Sequence, residues 1–386
     1  MSRRPARTRP ARAGLGYASA QGRLAVGIVA GYDPPVLGRA LRSFTGRPRI
    51  QESSLGGAPA TVARPARGSG PWPAVVLLPG VTRLGRAHPA FQGLARAFAA
   101  TGHLAVVVEP QGLNVGELSA AGLGPARSAV EAVASRPDAA QGRVALAGVS
   151  GGATVALNVA AGPNLAGRIS AIIVLAPCCD LEEALRVITT GVYRDGDKLV
   201  PFTSGDFFKL VIARSAVAWL PPGKDREALR SYLLSLDDYG PNPLGSLRAW
   251  PRDRLGAPAQ AVLEVLSNDE PSRFDELVAG LPDEVRANMR AVSPLATAEK
   301  IVAPIELVVP REDKYIPLAD STLFAEACPT ARLTILESLE HAVPSVSLAG
   351  ARDLVELNGV FVRFLRALSD RHHALPASVA RHTPGR

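Results

Sequence analysis

The chain has 386 residues, 47% of them hydrophobic and 20% charged, which is enough for a large hydrophobic core and excludes an intrinsically disordered chain. Its formal net charge of +8 comes from eight arginines in two acid-free tails, residues 1–12 and 371–386, so the body between the tails is neutral and we expect no nucleic-acid partner. Three cysteines give no disulfide framework and no C-x-x-C pair.

Residues 1–45 are rich in arginine, alanine, glycine and proline, and we interpret them as a basic N-terminal tail with a short helix. An apolar run at residues 24–30 is too short for a membrane-spanning helix, which needs about 20 residues. The sequence therefore predicts a cytoplasmic or membrane-surface location, with peripheral membrane contact through the basic N-terminus. A degenerate secretion signal is the alternative interpretation.

Two short segments, residues 49–55 and 60–63, are joined by Gly56 and Gly57 and predict a β-hairpin, because glycine accepts the positive φ of a tight turn. Apolar runs then alternate with segments of helical periodicity. The predicted strands, apolar throughout as in a parallel sheet buried on both faces, are residues 74–78, 104–108, 144–148, 171–176, 305–309 and 333–336. The predicted helices are residues 88–100, 125–135, 153–161, 319–327 and 353–368. This alternation predicts an α/β fold with a mostly parallel sheet and helices on both faces.

The alternation stops between residues 176 and 305, where no comparable strand run occurs. Helical stretches separated by prolines take its place, at residues 205–219, 225–236, 257–266, 270–279 and 282–291. We interpret residues 180–300 as a helical cap over the carboxyl edge of the sheet, inserted into a core of residues 46–179 and 301–370. Residues 371–386 form a basic C-terminal tail.

Residues 148–152 read Gly-Val-Ser-Gly-Gly and fit the pattern G-x-S-x-G. They follow a predicted strand directly and open a predicted helix, which is the strand–turn–helix context of a nucleophile elbow. The glycines two positions before and after the serine let the backbones pass closely. This context predicts Ser150 as a nucleophile.

A serine hydroxyl becomes a good nucleophile only when a base takes its proton, and the chain has six histidines. His341 follows the last predicted strand by five residues, where such a base is expected. His103 lies beside a strand start, which favours a buried structural imidazole. His88 begins a predicted helix, which favours either capping or exposure at the rim of the site. The other three lie in the C-terminal tail. We therefore predict His341 as the base.

A carboxylate must hold the imidazole tautomer and stabilise the imidazolium. Asp313 lies just past the predicted strand 305–309 and is the favoured acid. Its neighbour Glu312, and Asp180 just past the preceding strand, are the rivals. The order serine, acid, histidine along the chain differs from the orders of chymotrypsin and subtilisin.

An oxyanion hole needs two backbone N–H donors that point at the developing negative charge. We expect one from Gly151, directly after the nucleophile. The other should come from the loop after the strand 74–78, where Gly80 permits a tight turn and the Val81 amide is the expected donor.

These segments resemble the α/β-hydrolase superfamily and are most similar to its dienelactone-hydrolase-like and esterase branches. The resemblance covers residues 70–370 and rests on VVLLPG at 75–80, LARAFAATG at 94–102, GVSGG at 148–152, PIELVVPREDKYIP at 304–317 and LESLEHA at 336–342. It implies the α/β-hydrolase fold, with the last two segments as the acid and histidine loops. Two positions depart from the family: Pro79 stands where a histidine often precedes the glycine, and Ser150 stands where dienelactone hydrolases proper have a cysteine, so their lactone substrate is not implied.

The sequence thus predicts a serine hydrolase that cleaves a carboxylic ester of a small molecule by acyl transfer, with no cofactor and no metal. Cleavage of a peptide or a thioester by the same triad is one alternative, and a non-catalytic binding protein of the same fold is another. A P-loop is excluded because Arg86 and Ala87 stand where Lys-Ser/Thr is required, and neither G-x-G-x-x-G after a strand nor H-E-x-x-H occurs. Aromatic residues of the predicted cap either line an acyl pocket or pack the cap on the core: Phe202, Phe207, Phe208, Trp219 and Trp250.

Overall fold

A computed structural model describes residues 46–337, 339–341, 343–344 and 350–369. The predicted N-terminal tail with its short helix and the predicted C-terminal tail lie outside the described residues. The described strands are β1 (Arg49–Leu55), β2 (Ala58–Arg64), β3 (Trp72–Leu78), β4 (Leu104–Val108), β5 (Ala139–Val149), β6 (Ile169–Leu175), β7 (Val192–Asp195), β8 (Lys198–Pro201), β9 (Ile305–Pro310), β10 (Ala331–Leu336), β11 (Leu339–Glu340) and β12 (Val343–Pro344).

The described α-helices are α1 (Pro89–Ala100), α2 (Ala120–Ala134), α3 (Gly151–Ala160), α4 (Leu181–Thr190), α5 (Asp206–Ala218), α6 (Lys224–Ser235), α7 (Gly245–Arg248), α8 (Ala257–Ser267), α9 (Phe274–Ala279), α10 (Asp283–Ala291), α11 (Leu318–Ala327) and α12 (Gly350–Ser369). Short 3₁₀ turns lie at Gly85–Ala87, Leu113–Val115, Arg252–Arg254, Pro271–Arg273 and Pro294–Lys300. None of the described helices is both long enough and apolar enough to cross a membrane.

Eight strands form one sheet in the order β1-β2-β4-β3-β5-β6-β9-β10. Six neighbouring strands of this sheet pair in parallel, in the order β4, β3, β5, β6, β9 and β10. Strands β1 and β2 are antiparallel to their neighbours. The predicted mostly parallel sheet is confirmed. Parallel strands bring their carboxyl ends to one edge, so the loops after β3, β5, β6 and β9 meet there.

Both faces of the sheet are covered, as the apolar strands predict. In β3, the side chains of Val75 and Leu77 pack with Phe98 of α1 and Phe364 of α12. The alternate side chains of β3 face the second core, which includes α2, α3, α11 and much of the insertion. Cys178, Cys179 and Cys328 are buried free thiols.

The interval between β6 and β9 is helical, as predicted, but it also contains a hairpin of β7 and β8 that we did not predict. We did not predict α4 either. Gly196–Asp197, the two-residue loop between the paired residues Asp195 and Lys198, is the sequence signal that identifies the hairpin. The start of α2 is a further difference. It lies at Ala120 and not at Pro125, because a helix tolerates one proline at the loss of one backbone hydrogen bond.

Candidate active site

Ser150 lies at the sharp turn between β5 and α3, at the carboxyl edge of the sheet. Its backbone angles, φ 51° and ψ −125°, are rare for a residue with a side chain. The Ser150 N–H donates to the carbonyl of Leu175 in β6 at 2.8 Å, which fixes the turn against the neighbouring strand. A Cβ at Gly152 would lie 2.2 Å from the Leu78 carbonyl oxygen, and one at Gly148 would lie 2.6 Å from the Gly152 carbonyl oxygen. The turn therefore needs glycine at both positions.

His341 occupies the turn of the small hairpin formed by β11 and β12, with a φ of 56°. Its Nε2 lies 2.9 Å from the Ser150 Oγ, and its Nδ1 lies 2.8 Å from the Asp313 Oδ2. The carboxylate can only accept a hydrogen bond when ionised, so we assign the proton to Nδ1. Nε2 is then free to accept the hydroxyl proton of Ser150.

Asp313 lies in the loop between β9 and α11, and the side chain is only 6% exposed. Its Oδ1 accepts the backbone N–H of Tyr315 at 2.7 Å and that of Ile316 at 3.4 Å. Since these bonds occupy one carboxylate oxygen, the other points at the imidazole. The structure thus brings Ser150, His341 and Asp313 into one hydrogen-bonded chain.

The two rival carboxylates lie elsewhere. The Asp180 Oδ1 accepts the N–H groups of Glu182 and Glu183, so Asp180 caps the start of α4. The side chain of Glu312 is exposed to solvent next to Asp313. Neither has a hydrogen bond to His341 among the described residues.

The loop after β3 approaches the elbow closely. A Cβ at Gly80 would lie 2.9 Å from the Val149 carbonyl oxygen and 3.3 Å from the Ser150 Cβ. A Cβ built on Gly151 would be 3.8 Å from the Val81 amide nitrogen. Val81 and Gly151, whose amides we predict to form an oxyanion hole, therefore lie close to each other beside Ser150.

The other described histidines have structural environments. The Nδ1 of His88 accepts the Ala90 N–H at 3.3 Å, and His88 thereby caps α1, as predicted. His103 is buried, as predicted, with Nδ1 3.2 Å from the Thr101 Oγ1. Burial lowers the pKa of His103 to about 4. His372, His373 and His382 lie outside the described residues.

The aromatic residues of the insertion divide into two groups. Phe207 and Phe208 contact the ring of Tyr315, and the Tyr315 ring contacts that of His341 at a centroid distance of 4.8 Å. Trp219 is fully buried and donates its Nε1–H to the Leu118 carbonyl at 2.8 Å, so it packs the insertion on the core. The remaining two aromatic residues pack on other residues of the insertion: Phe202 on Tyr193, and Trp250 on Tyr232.

Sequence reasoning missed two connections between the insertion and the site. Tyr315 joins the acid loop to the insertion, and its position two residues after Asp313 is the only signal for it. Asp238 of the insertion accepts Arg83 Nε at 2.6 Å and Arg214 Nη1 at 2.8 Å. Arg83 follows the loop of Gly80 and Val81, so this ion pair ties that loop to the insertion. Burial favours the neutral carboxyl of Asp238, but the hydrogen bonds from both arginines outweigh it and lower its pKa.

A second buried carboxylate connects α11 to the loop after β6. The Asp320 oxygens accept the N–H groups of Cys179 and Asp180 at 2.8 and 2.9 Å. Burial raises the pKa of Asp320 to about 7. Within the described part of the chain, no group of three or more His, Cys, Asp or Glu side chains is arranged to hold a metal ion.

No protein-family model and no curated protein sequence matches the chain. Among solved structures, the acylaminoacyl peptidase of Pyrococcus horikoshii is 15% identical and has a TM-score of 0.52, over 88% of this chain and 45% of the peptidase. An orthorhombic crystal form of that peptidase gives a TM-score of 0.50 with the same identity and coverage. Esterase 2 of Thermogutta terrifontis is 13% identical over 85% of this chain and 98% of the esterase, with a TM-score of 0.46.

The chain spans less than half the length of the peptidase that it matches. At this level of identity, the similarity concerns the fold. The strand order and the similarity to the peptidase together show that the chain has the α/β-hydrolase fold, which confirms the prediction from the sequence.

Proposed function

We propose that the protein is a serine hydrolase that cleaves a carboxylic ester of a small molecule by acyl transfer. The hydrogen-bonded chain from Ser150 through His341 to Asp313 is the observation that carries this proposal. A hydroxyl, an imidazole and a carboxylate in this order are what activation of a serine requires.

In the proposed reaction, the Ser150 Oγ attacks the carbonyl carbon of the ester while His341 Nε2 takes the hydroxyl proton. The Asp313 carboxylate stabilises the imidazolium through the Nδ1–H. The carbonyl oxygen becomes negative in the tetrahedral intermediate and accepts hydrogen bonds from the Val81 and Gly151 amides. Donors that are held in position before the reaction stabilise this charge without reorganisation of the loop, which is why the proposal assigns the role to backbone amides.

The intermediate collapses by expelling the alcohol, which receives the proton from His341 Nε2 and leaves Ser150 acylated. A water molecule then attacks the acyl carbon, and His341 accepts its proton. The second tetrahedral intermediate releases the carboxylic acid as the proton returns to the Ser150 Oγ. The sum is one ester and one water converted to one acid and one alcohol, with no cofactor required.

A peptidase or thioesterase that uses the same triad is the second candidate. The solved structure with the TM-score of 0.52 is an acylaminoacyl peptidase, which supports including a blocked peptide among the substrates tested. A non-catalytic binding protein is the third candidate. It predicts no turnover of any acyl compound.

Turnover of p-nitrophenyl esters by the wild type and by Ser150→Ala tests the proposal. We expect a loss of about 10⁴- to 10⁶-fold in rate, as is typical when a triad member is removed. Ser54→Ala, on the exposed edge strand β1, is the matched control and should retain full activity. A Ser150→Ala variant that kept a tenth of the wild-type rate would contradict the assignment. A wild type that cleaved only the blocked peptide would favour the peptidase.

A further inference from the structure

Tyr315 contacts both the proposed acid and the proposed base. Its backbone N–H donates to the Asp313 Oδ1 at 2.7 Å. Its ring packs against the imidazole of His341 in a T-shaped arrangement, with a centroid distance of 4.8 Å and an interplanar angle of 79°. One residue outside the hydrogen-bonded chain therefore touches two of its three members.

The other contacts of Tyr315 come from the insertion. The Ser204 Oγ donates to the Tyr315 carbonyl at 2.9 Å, and the Gly205 N–H donates to the carbonyl of the preceding residue, Lys314, at 2.8 Å. Phe207 and Phe208 contact its ring, each at a centroid distance of 6.1 Å. A Cβ at Gly205 would lie 2.8 Å from the Tyr315 Cε1, so the close approach of backbone to ring needs glycine.

The described strands beside His341 are short. Strands β11 and β12 have only two residues each, and a hairpin of that size is marginal in isolation. His341 also has a positive φ. Hydrogen bonds to Asp313 and Ser150 hold the ring at its two nitrogens, and the packing of Tyr315 against the imidazole adds a restraint on its tilt.

We propose that Tyr315 is a positioning residue through which the insertion holds His341 and Asp313 in their productive geometry. This inference rests on the proposed hydrolase function, because it assigns Tyr315 to the same site. The aromatic ring of Tyr315, and not its hydroxyl, provides this positioning. Among the described residues, the Tyr315 hydroxyl has no hydrogen-bond partner, so phenylalanine should replace tyrosine without loss. A displacement of about 1 Å in a catalytic group can cost about 100-fold in rate.

Kinetics of three variants provide the first test. Tyr315→Phe should keep kcat within about twofold, whereas Tyr315→Ala should lower kcat by about 10- to 100-fold with a smaller change in KM. Tyr315→Leu keeps apolar bulk against Phe208 and should lower kcat in the same way if the alanine variant fails to fold. Tyr232→Ala is the matched control, because it removes a tyrosine of the insertion that packs on Trp250.

Proton NMR provides a readout that does not depend on turnover. The proton shared by His341 Nδ1 and Asp313 should give a strongly downfield signal in the wild type, in Ser150→Ala and in Tyr315→Phe. The signal should broaden or disappear in Tyr315→Ala and in Tyr315→Leu, but not in Tyr232→Ala. Loss of the signal together with low kcat supports the inference.

The two proposals fail in different ways. If Ser150→Ala retained turnover, the proposed function would fall, and the NMR signal alone would decide the role of Tyr315. If the variants lacking the ring kept both the signal and the wild-type kcat, the positioning role would be overturned while the hydrolase proposal stood. A rise in KM with unchanged kcat would also overturn it, because that result assigns Tyr315 to substrate binding.

Discussion

The Nε2 of His341 lies 2.9 Å from the Oγ of Ser150, although 191 residues separate the two in the chain. The parallel sheet brings them together, because β5 delivers Ser150 and the segment after β10 delivers His341 to the same edge. The insertion between β6 and β9 then contacts this edge through Tyr315 and Arg83.

The first prediction identifies the carboxylate that orients His341. Asp313→Asn preserves shape but removes the charge that stabilises the imidazolium, so turnover should fall by about 10⁴-fold. Glu312→Gln and Asp180→Asn should each cost less than about tenfold, because one side chain is exposed and the other caps α4. Turnover of one soluble ester by the three purified variants is the measurement. If Asp180→Asn were the inactive variant, the assignment of Asp313 would be wrong.

The second prediction concerns the acid side of the stability profile. Burial lowers the pKa of His103 from 6.5 to about 4. Between these values the unfolded chain binds a proton that the folded protein does not, so stability decreases as the pH falls through this range. From pH 8 to pH 5, His103 should cost the wild type about 2 kcal/mol.

Urea unfolding at pH 8 and pH 5, for the wild type and for His103→Gln, measures this cost. The variant should lose less stability than the wild type over the same interval. An equal loss in both proteins would show that His103 titrates normally in the folded state.

The third prediction has the opposite sign. Burial raises the pKa of Asp320 from 3.8 to about 7. The folded protein therefore holds a proton that the unfolded chain has released, and this contribution to stability is lost as the pH rises toward 7. Relative to Asp320→Asn, the wild type should be more stable at pH 5 than at pH 8 by about 3 kcal/mol. If the difference in unfolding free energy between the wild type and Asp320→Asn were the same at pH 5 and at pH 8, the prediction would be wrong.

Local patterns predicted most of the sheet and of the candidate site. The elbow at Ser150 depends on glycines two positions away, and His341 and Asp313 each follow a strand that is apolar enough to recognise. The contact of Phe208 with Tyr315 and the ion pair of Asp238 with Arg83 had no such signal. They depend on how a helical insertion packs on loops that lie 100 residues or more away along the chain. No local pattern in the sequence predicts that packing.

The fourth prediction concerns the two basic tails, which we propose contact anionic surfaces without taking part in the chemistry. Removing residues 1–12 and 371–386 should leave kcat/KM for a soluble ester unchanged, because every proposed catalytic residue lies between them. Binding to vesicles that contain anionic lipid should fall, and added salt should weaken it in the full chain. A truncated protein that folded but lost ester turnover would contradict this separation.

The most direct test of the account is labelling with a fluorophosphonate, which reacts with an activated serine hydroxyl. The wild type should become labelled in a one-to-one ratio, and mass spectrometry of the digested protein should locate the adduct on Ser150. Ser150→Ala should remain unlabelled under the same conditions, while Ser54→Ala should label like the wild type. A folded wild type that does not react, or an adduct on any other serine, would contradict the claim that Ser150 is the nucleophile of a hydrolase.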